Sequence, residues 1–210
     1  LSLGVIEAMA VDGVEVSAFP AAGCGVGGAT PVKYLNLPAG VSEACATWVA
    51  ELPAVLANFD PEVVLVTGGL ADLSERQLPD GTWAHIGEPA FDEWLLEQMD
   101  AMATLVTGSG ARLAWATHPH VAVEPNPLFT GQPPFAENDP GRADRYNELI
   151  EQTAASRDDI HVVHFAEFLQ ARPGGEFADG LRTDGIHLDT RLFPDVVAFL
   201  VGELEAAAGH

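Results

Sequence analysis

A chain of 210 residues with 48% hydrophobic side chains is long enough to bury one ordinary core, and its periodic apolar runs exclude intrinsic disorder. Thirty-one acidic against nine basic side chains give a net charge of -22; with one lysine, Lys33, and eight scattered arginines, clustered phosphate neutralisation and hence nucleic-acid binding are excluded. No run of about 18 uncharged apolar residues occurs, so the sequence offers no membrane span. Leu1 opens directly into LSLGVIEAMA, the body of a helix with no capping residue before it. A processed chain or one cut from something longer is expected. Val14 to Phe19 (VEVSAF) reads as a strand, followed by the glycine-dense loop AAGCGVGG at 21–28. From Ser42 to Phe59, Cys45, Trp48, Val49, Leu52, Val55 and Leu56 recur at helical spacing, with a bend expected at Pro53.

Glu62 to Thr67 is a nearly unbroken apolar run, as in a strand covered on both faces. Phe91, Trp94, Leu95, Met99, Met102 and Val106 mark an amphipathic helix, and Arg112 to Thr117 another strand. A proline-rich loop fills 119–139; the helix Arg142 to Ser156, the strand His161 to Phe165 and a last helix from Pro194 to Ala208 complete the chain. Alternating strands and helices predict an α/β fold: one domain over 1–210, with a parallel sheet carrying helices on both faces. Ligands sit beyond the C-terminal ends of such strands, which directs attention to the loops after Phe19, Thr67, Thr117 and Phe165.

The strongest local signal is Asp184-Gly185-Ile186-His187, just before the last helix. A carboxylate three residues before a histidine can accept from imidazole Nδ1 and leave Nε2 as a general base, with Gly185 making the bend. In the loop at 21–28, Gly23 is a candidate to aim its N–H at an oxyanion; an ordinary turn is the alternative. No Lys-Ser or Lys-Thr follows these glycines, so a phosphate cradle is excluded. Cys24 and Cys45 are expected as thiols in a reducing compartment and as a pair in a secreted domain. His118 and His120, with His187 as third ligand, offer a zinc or manganese alternative, whereas His161 and His164 point to opposite faces. Trp48 and Trp94 read as core, and Trp83 as a sugar platform or loop packing. Asp72 and Arg76 read as a structural pair, and Glu203 and Glu205 as a solvated face.

The order GCGVGG, Cys45-Ala46-Thr47-Trp48, PEVVLVTGGLADLSER at 61–76, RADRYNELI at 142–150 and LRTDGIHLD at 181–189 resembles the SGNH (GDSL-like) hydrolase superfamily. It is most similar to the SGNH domain behind the membrane part of bacterial acyltransferase-3 proteins. The resemblance implies a three-layer α/β/α sandwich with a flavodoxin-like parallel sheet and a Ser-His-Asp triad. Asp184 and His187 would be its acid and base, with Gly23 and, more weakly, Gly69 at the oxyanion hole. It also favours a Cys24–Cys45 disulfide. The superfamily's third block is usually Gly-x-Asn-Asp; here Ala71 holds the Asn position and donates nothing. Its first block, a strand ending in Gly-Asp-Ser, occurs nowhere in the sequence. Ser2 is the only local substitute, so the first strand and nucleophile are expected before Leu1 and the chain alone is expected to be inactive.

The activity so implied is ester hydrolysis or O-acyl transfer, moving acyl (acetyl) groups on or off hydroxyls of envelope glycans. The expected substrate is an acylated small molecule or glycan. No cofactor, metal or nucleic acid is implied, and the expected setting is extracytoplasmic, periplasmic or cell-surface, tethered through an upstream membrane acyltransferase domain. A stand-alone secreted carboxylesterase and a non-catalytic glycan-binding or scaffold domain are the alternatives.

Overall fold

The computed structural model describes Val5, Met9 and residues 14–19, 23–41 and 43–209. In chain order these contain β1 (Val32–Lys33), α1 (Glu43–Phe59), β2 (Val63–Thr67), α2 (Leu70–Leu73), β3 (Glu75–Gln77), β4 (Trp83–Ala84), α3 (Pro89–Thr107) and β5 (Arg112–Ala116). A 3-10 turn (Ala136–Asn138), α4 (Pro140–Ala155), β6 (Ile160–Val163), α5 (Phe165–Gln170), a second 3-10 turn (Thr190–Leu192) and α6 (Phe193–Ala208) follow. No described helix is long and apolar enough to cross a membrane.

Strands β2, β5 and β6 form a parallel sheet in the order β2-β5-β6, with Val63 opposite Arg112 and Leu113 opposite Ile160. Side chains alternate between its faces, as a period of two requires. Leu113, Trp115, Ile160, Val64 and Val66 point into a core shared with Trp48, Leu52 and Leu56 of α1, Phe91, Leu95 and Met99 of α3, and Tyr146, Leu149 and Ile150 of α4. Ala114, Ala116, Val163, Val63 and Leu65 point the other way, against Val196, Val197 and Leu200 of α6 and Phe165 and Leu169 of α5. Val5 and Met9, both helical, are buried in that second core. The rest of the LSLGVIEAMA helix lies outside the described residues. The three layers are therefore α1/α3/α4, sheet, and α5/α6. Helix α4 starts where Asp139 accepts from the Gly141 N–H (3.0 Å) and Pro140 enters the first turn, which needs no donor there.

Three expectations change. Val14 to Phe19 is not a strand: burial alternates along Val14, Glu15, Val16 and Ser17, but the segment joins no ladder among the described residues, and a strand exists only through a partner. β2 is only half-buried rather than covered, because among the described strands it lies at an edge of its sheet. The segment after Val163 turns at once into α5, so Phe165 belongs to a helix. The stretch 75–84 folds back on Val32–Lys33 as a small antiparallel sheet, β1-β3-β4. α1 runs through Pro53 without ending.

Candidate active site

Thr67 of β2 and Ala116 of β5 are paired neighbours, so the loops after them, Gly68-Gly69 and 117–123, leave the same edge of the sheet. The turn carrying Asp184 and His187 is fastened to the second of these loops. Ala122 N–H donates to the Gly185 carbonyl (3.0 Å), and Arg182 Nη1 donates to the His120 carbonyl. Gly185 has φ +74°, and a Cβ there would lie 1.9 Å from the Ala122 oxygen, so only glycine permits this approach.

Within the turn, one oxygen of Asp184 accepts from the backbone N–H groups of Ile186 (2.9 Å) and His187 (2.7 Å), and the other meets His187 Nδ1 at 2.6 Å. A carboxylate only accepts, so Nδ1 carries the proton and the neutral ring keeps a lone pair on Nε2. Partial burial pushes the Asp184 carboxyl up, but the hydrogen bonds from the His187 ring and the two backbone amides outweigh it and hold it below the usual carboxylate range. The His187 side chain is 75% exposed and Nε2 meets no partner among the described residues. This dyad is an oriented base facing outward.

The glycine loop is organised by two buried charges. Asp72 accepts from the N–H of Val26 (2.8 Å) and of Gly69 (3.2 Å), joining the loop at 23–28 to the turn after β2. Arg76, also buried, donates to the carbonyls of Cys24 and Ala71 (3.0 Å for the latter) and to Thr30 Oγ1 (2.9 Å). The two charges couple electrostatically while their hydrogen bonds go to this surrounding framework; burial pushes Asp72 up and the Arg76 charge opposes that. Gly25, at φ +64°, passes so close that a Cβ would stand 2.3 Å from an Asp72 oxygen. A disulfide joins Cys24 to Cys45 and ties the loop to α1.

Gly23 is exposed, with φ +75° and open space where a side chain would begin. The Gly69 N–H is already engaged by Asp72, and Ala71 is fully buried, so neither offers a free donor at the surface. The metal alternative is corrected by geometry. His118 is buried with Nδ1 on the Pro119 carbonyl (2.7 Å), both nitrogens of His120 face carboxylates, and His187 Nδ1 faces Asp184. Among the described residues no three His, Cys, Asp or Glu side chains are placed to hold an ion. Trp83 is half-buried with the Lys33 ammonium 4.4 Å from its ring centre, which covers one stacking face. Glu203 is not simply solvated: it meets His161 Nε2 (2.8 Å), while His164 approaches Glu151 (3.6 Å) on the opposite layer. A groove of about 1030 Å³ between α3 and α4 is lined by acids such as Asp92, Glu93 and Glu97 together with Pro89, Leu96 and Arg145, and excludes both dyad residues.

The family model of the GDSL-like lipases and acylhydrolases matches residues 11–191, most of the chain and both halves of this site. The chain belongs to the GDSL-like lipase/acylhydrolase family. Among solved structures it is similar to a GDSL-like lipase from Bacteroides thetaiotaomicron, at 16% identity and TM-score 0.55 over 77% of this chain and 70% of that one. It is also similar to a protein described as an acylhydrolase from Bacteroides fragilis, at 12% identity and TM-score 0.53 over 77% and 69% of the two chains. These are likenesses of fold. No curated protein matches the sequence. As a member of the GDSL-like family the chain is of the ester-hydrolase class, and the α/β fold with its parallel sheet is that of the family's structures.

Sequence reasoning missed Arg182, Glu176 and Asp144. Arg182 lies in the LRTDGIH segment, two residues before Asp184, but nothing in its spacing distinguishes a buried arginine from a solvated one.

Proposed function

We propose that this domain supplies the acid and base of a Ser-His-Asp site that moves acyl groups, acetyl among them, on or off hydroxyls of cell-envelope glycans. The observation that carries this reading is the dyad: Asp184 holds the Nδ1 proton of His187, and Nε2 is open to solvent. In the proposed reaction a serine hydroxyl attacks the ester carbonyl and gives its proton to His187 Nε2. Asp184 balances the imidazolium, and the proton passes to the departing alkoxide. Water or a glycan hydroxyl then resolves the acyl-serine by the same proton path in reverse.

The serine is assigned to a strand before Leu1 that ends in Gly-Asp-Ser. One observation supports this: the outer edge of β2 has no ladder partner among the described residues. The Cys24–Cys45 disulfide favours an extracytoplasmic setting; a tether to an upstream membrane acyltransferase domain is part of the same proposal. Ala71 and the engaged Gly69 amide favour one second reading, a domain that binds glycans without turning them over.

Hydrolysis of p-nitrophenyl acetate and of an acetylated glycan by the gene's full product separates the two. Hydrolysis is expected in the parent and absent in His187→Ala. Activity that survives this substitution, or a gene with no Gly-Asp-Ser block upstream, overturns the catalytic assignment.

A further inference from the structure

Arg182 makes more contacts than a surface loop arginine needs. Its side chain is buried; Nε donates to the Ile186 carbonyl (3.1 Å), and Nη1 donates to the His120 carbonyl and approaches Glu176 Oε2 (3.4 Å). Ile186 stands between the two dyad residues, so fixing its carbonyl fixes the turn from which both side chains project. The Gly185 N–H closes the same turn onto the Arg182 carbonyl (3.0 Å). One guanidinium therefore spans the dyad turn and the loop after β5.

The guanidinium is itself held. Glu176, also buried, offers its second oxygen to His120 Nδ1 (2.8 Å), and His120 Nε2 meets Asp144 of α4 at 2.8 Å. Both ring nitrogens face groups that only accept, so the imidazolium satisfies the arrangement completely. Partial burial works against that charge, but the hydrogen bond to Asp144 and the negative charge of Glu176 outweigh it and raise His120 above the usual histidine value. The charged and titratable groups facing it are Asp144 from α4, Glu176 and Arg182 from the loop at 171–189, and His118 from its own segment. Alternating charges thus run Asp144, His120, Glu176, Arg182, from a rigid helix to the dyad turn.

We infer that Arg182 is the positioning residue of the Asp184–His187 dyad, held for that task by Glu176, His120 and Asp144; the inference rests on the acid–base role proposed above. A planar fork is needed to reach two carbonyls and a carboxylate at once, and a lysine ammonium has no such geometry. A purely structural arginine would instead lower stability when changed and leave the dyad as it is.

Imidazole 15N spectra and carboxyl 13C titrations of the 210-residue chain separate these roles, read in the parent, Arg182→Lys, Arg182→Gln and Glu176→Gln. In the parent, neutral His187 is expected as the Nδ1–H tautomer, with Asp184 titrating below the usual carboxylate range. In Arg182→Lys and Glu176→Gln the tautomer preference is expected to be lost and the Asp184 titration to move up toward ordinary values, with circular dichroism unchanged. Variants that melt lower but keep the parent's tautomer and Asp184 titration overturn the inference. If Arg182→Gln fails to fold, the lysine variant and Glu176→Gln still decide. The spectra need no turnover, so missing ester hydrolysis overturns the proposed function alone, and unchanged spectra overturn the positioning role alone.

Discussion

His118 gives the chain a specific vulnerability to acid. The ring is 8% exposed, packed edge-on against Tyr146 with centroids 6.2 Å apart, and Nδ1 lies on the Pro119 carbonyl. Burial pushes its pKa down to about 4 from 6.5, and the charges of Arg182 and His120 push the same way against the Pro119 hydrogen bond. In the unfolded chain the ring takes a proton below about 6.5, while the folded ring refuses it until about 4. Stability from this group is therefore complete above pH 6.5, falls as pH drops through that window, and is flat below it; linkage makes the loss about 3 kcal/mol. That is a large share of the roughly 5–15 kcal/mol that holds an ordinary domain together. Urea denaturation followed by tryptophan fluorescence at pH 7.5, 6, 5 and 4.5 reads it out, comparing the parent with His118→Gln. Other titrating groups are common to both proteins, so the stability difference isolates His118. The variant is expected to be the less stable at neutral pH and to gain on the parent by about 3 kcal/mol on acidification. A stability difference that stays constant across the series would refute the buried, neutral ring.

Reducing the Cys24–Cys45 bond opens a loop with a sequence separation of 21 and is expected to lower stability by about 3 kcal/mol, seen as an earlier urea midpoint in reductant. Gly25→Ala combines a left-handed φ with a Cβ 2.3 Å from Asp72; displacement of that buried carboxylate is expected to cost about 3 kcal/mol or more, read as a drop in Tm.

The features legible in the sequence are those whose cause lies nearby along the chain. Val63 to Thr67 and Arg112 to Ala116 declare themselves by apolar β-branched or alternating runs, and α3 by Phe91, Leu95, Met99, Met102 and Val106 on one stripe. Asp184 and His187 are three residues apart, so their contact is a property of one turn, as is the left-handed φ of Gly185 between them. Val14 to Phe19 shows the limit: its pattern suits a strand, but pairing requires another segment, and the described sheet brings none to it. Phe165 reads as the end of a strand until Thr117, distant in sequence, accepts the Ala166 N–H and helps start α5.

By itself, then, the sequence determined the alternating α/β order, the two-faced strands and the contact between Asp184 and His187, because period, propensity and short-range hydrogen bonds act within a few residues. Only the tertiary structure decided that the Gly69 amide is spent on Asp72, that His118 is buried and neutral, that Cys24 and Cys45 meet, and that Arg182 spans to His120 across 62 positions of sequence. Those contacts depend on which loops the parallel sheet gathers at one edge. That choice is made by burying two apolar faces at once, and no short stretch of sequence encodes it.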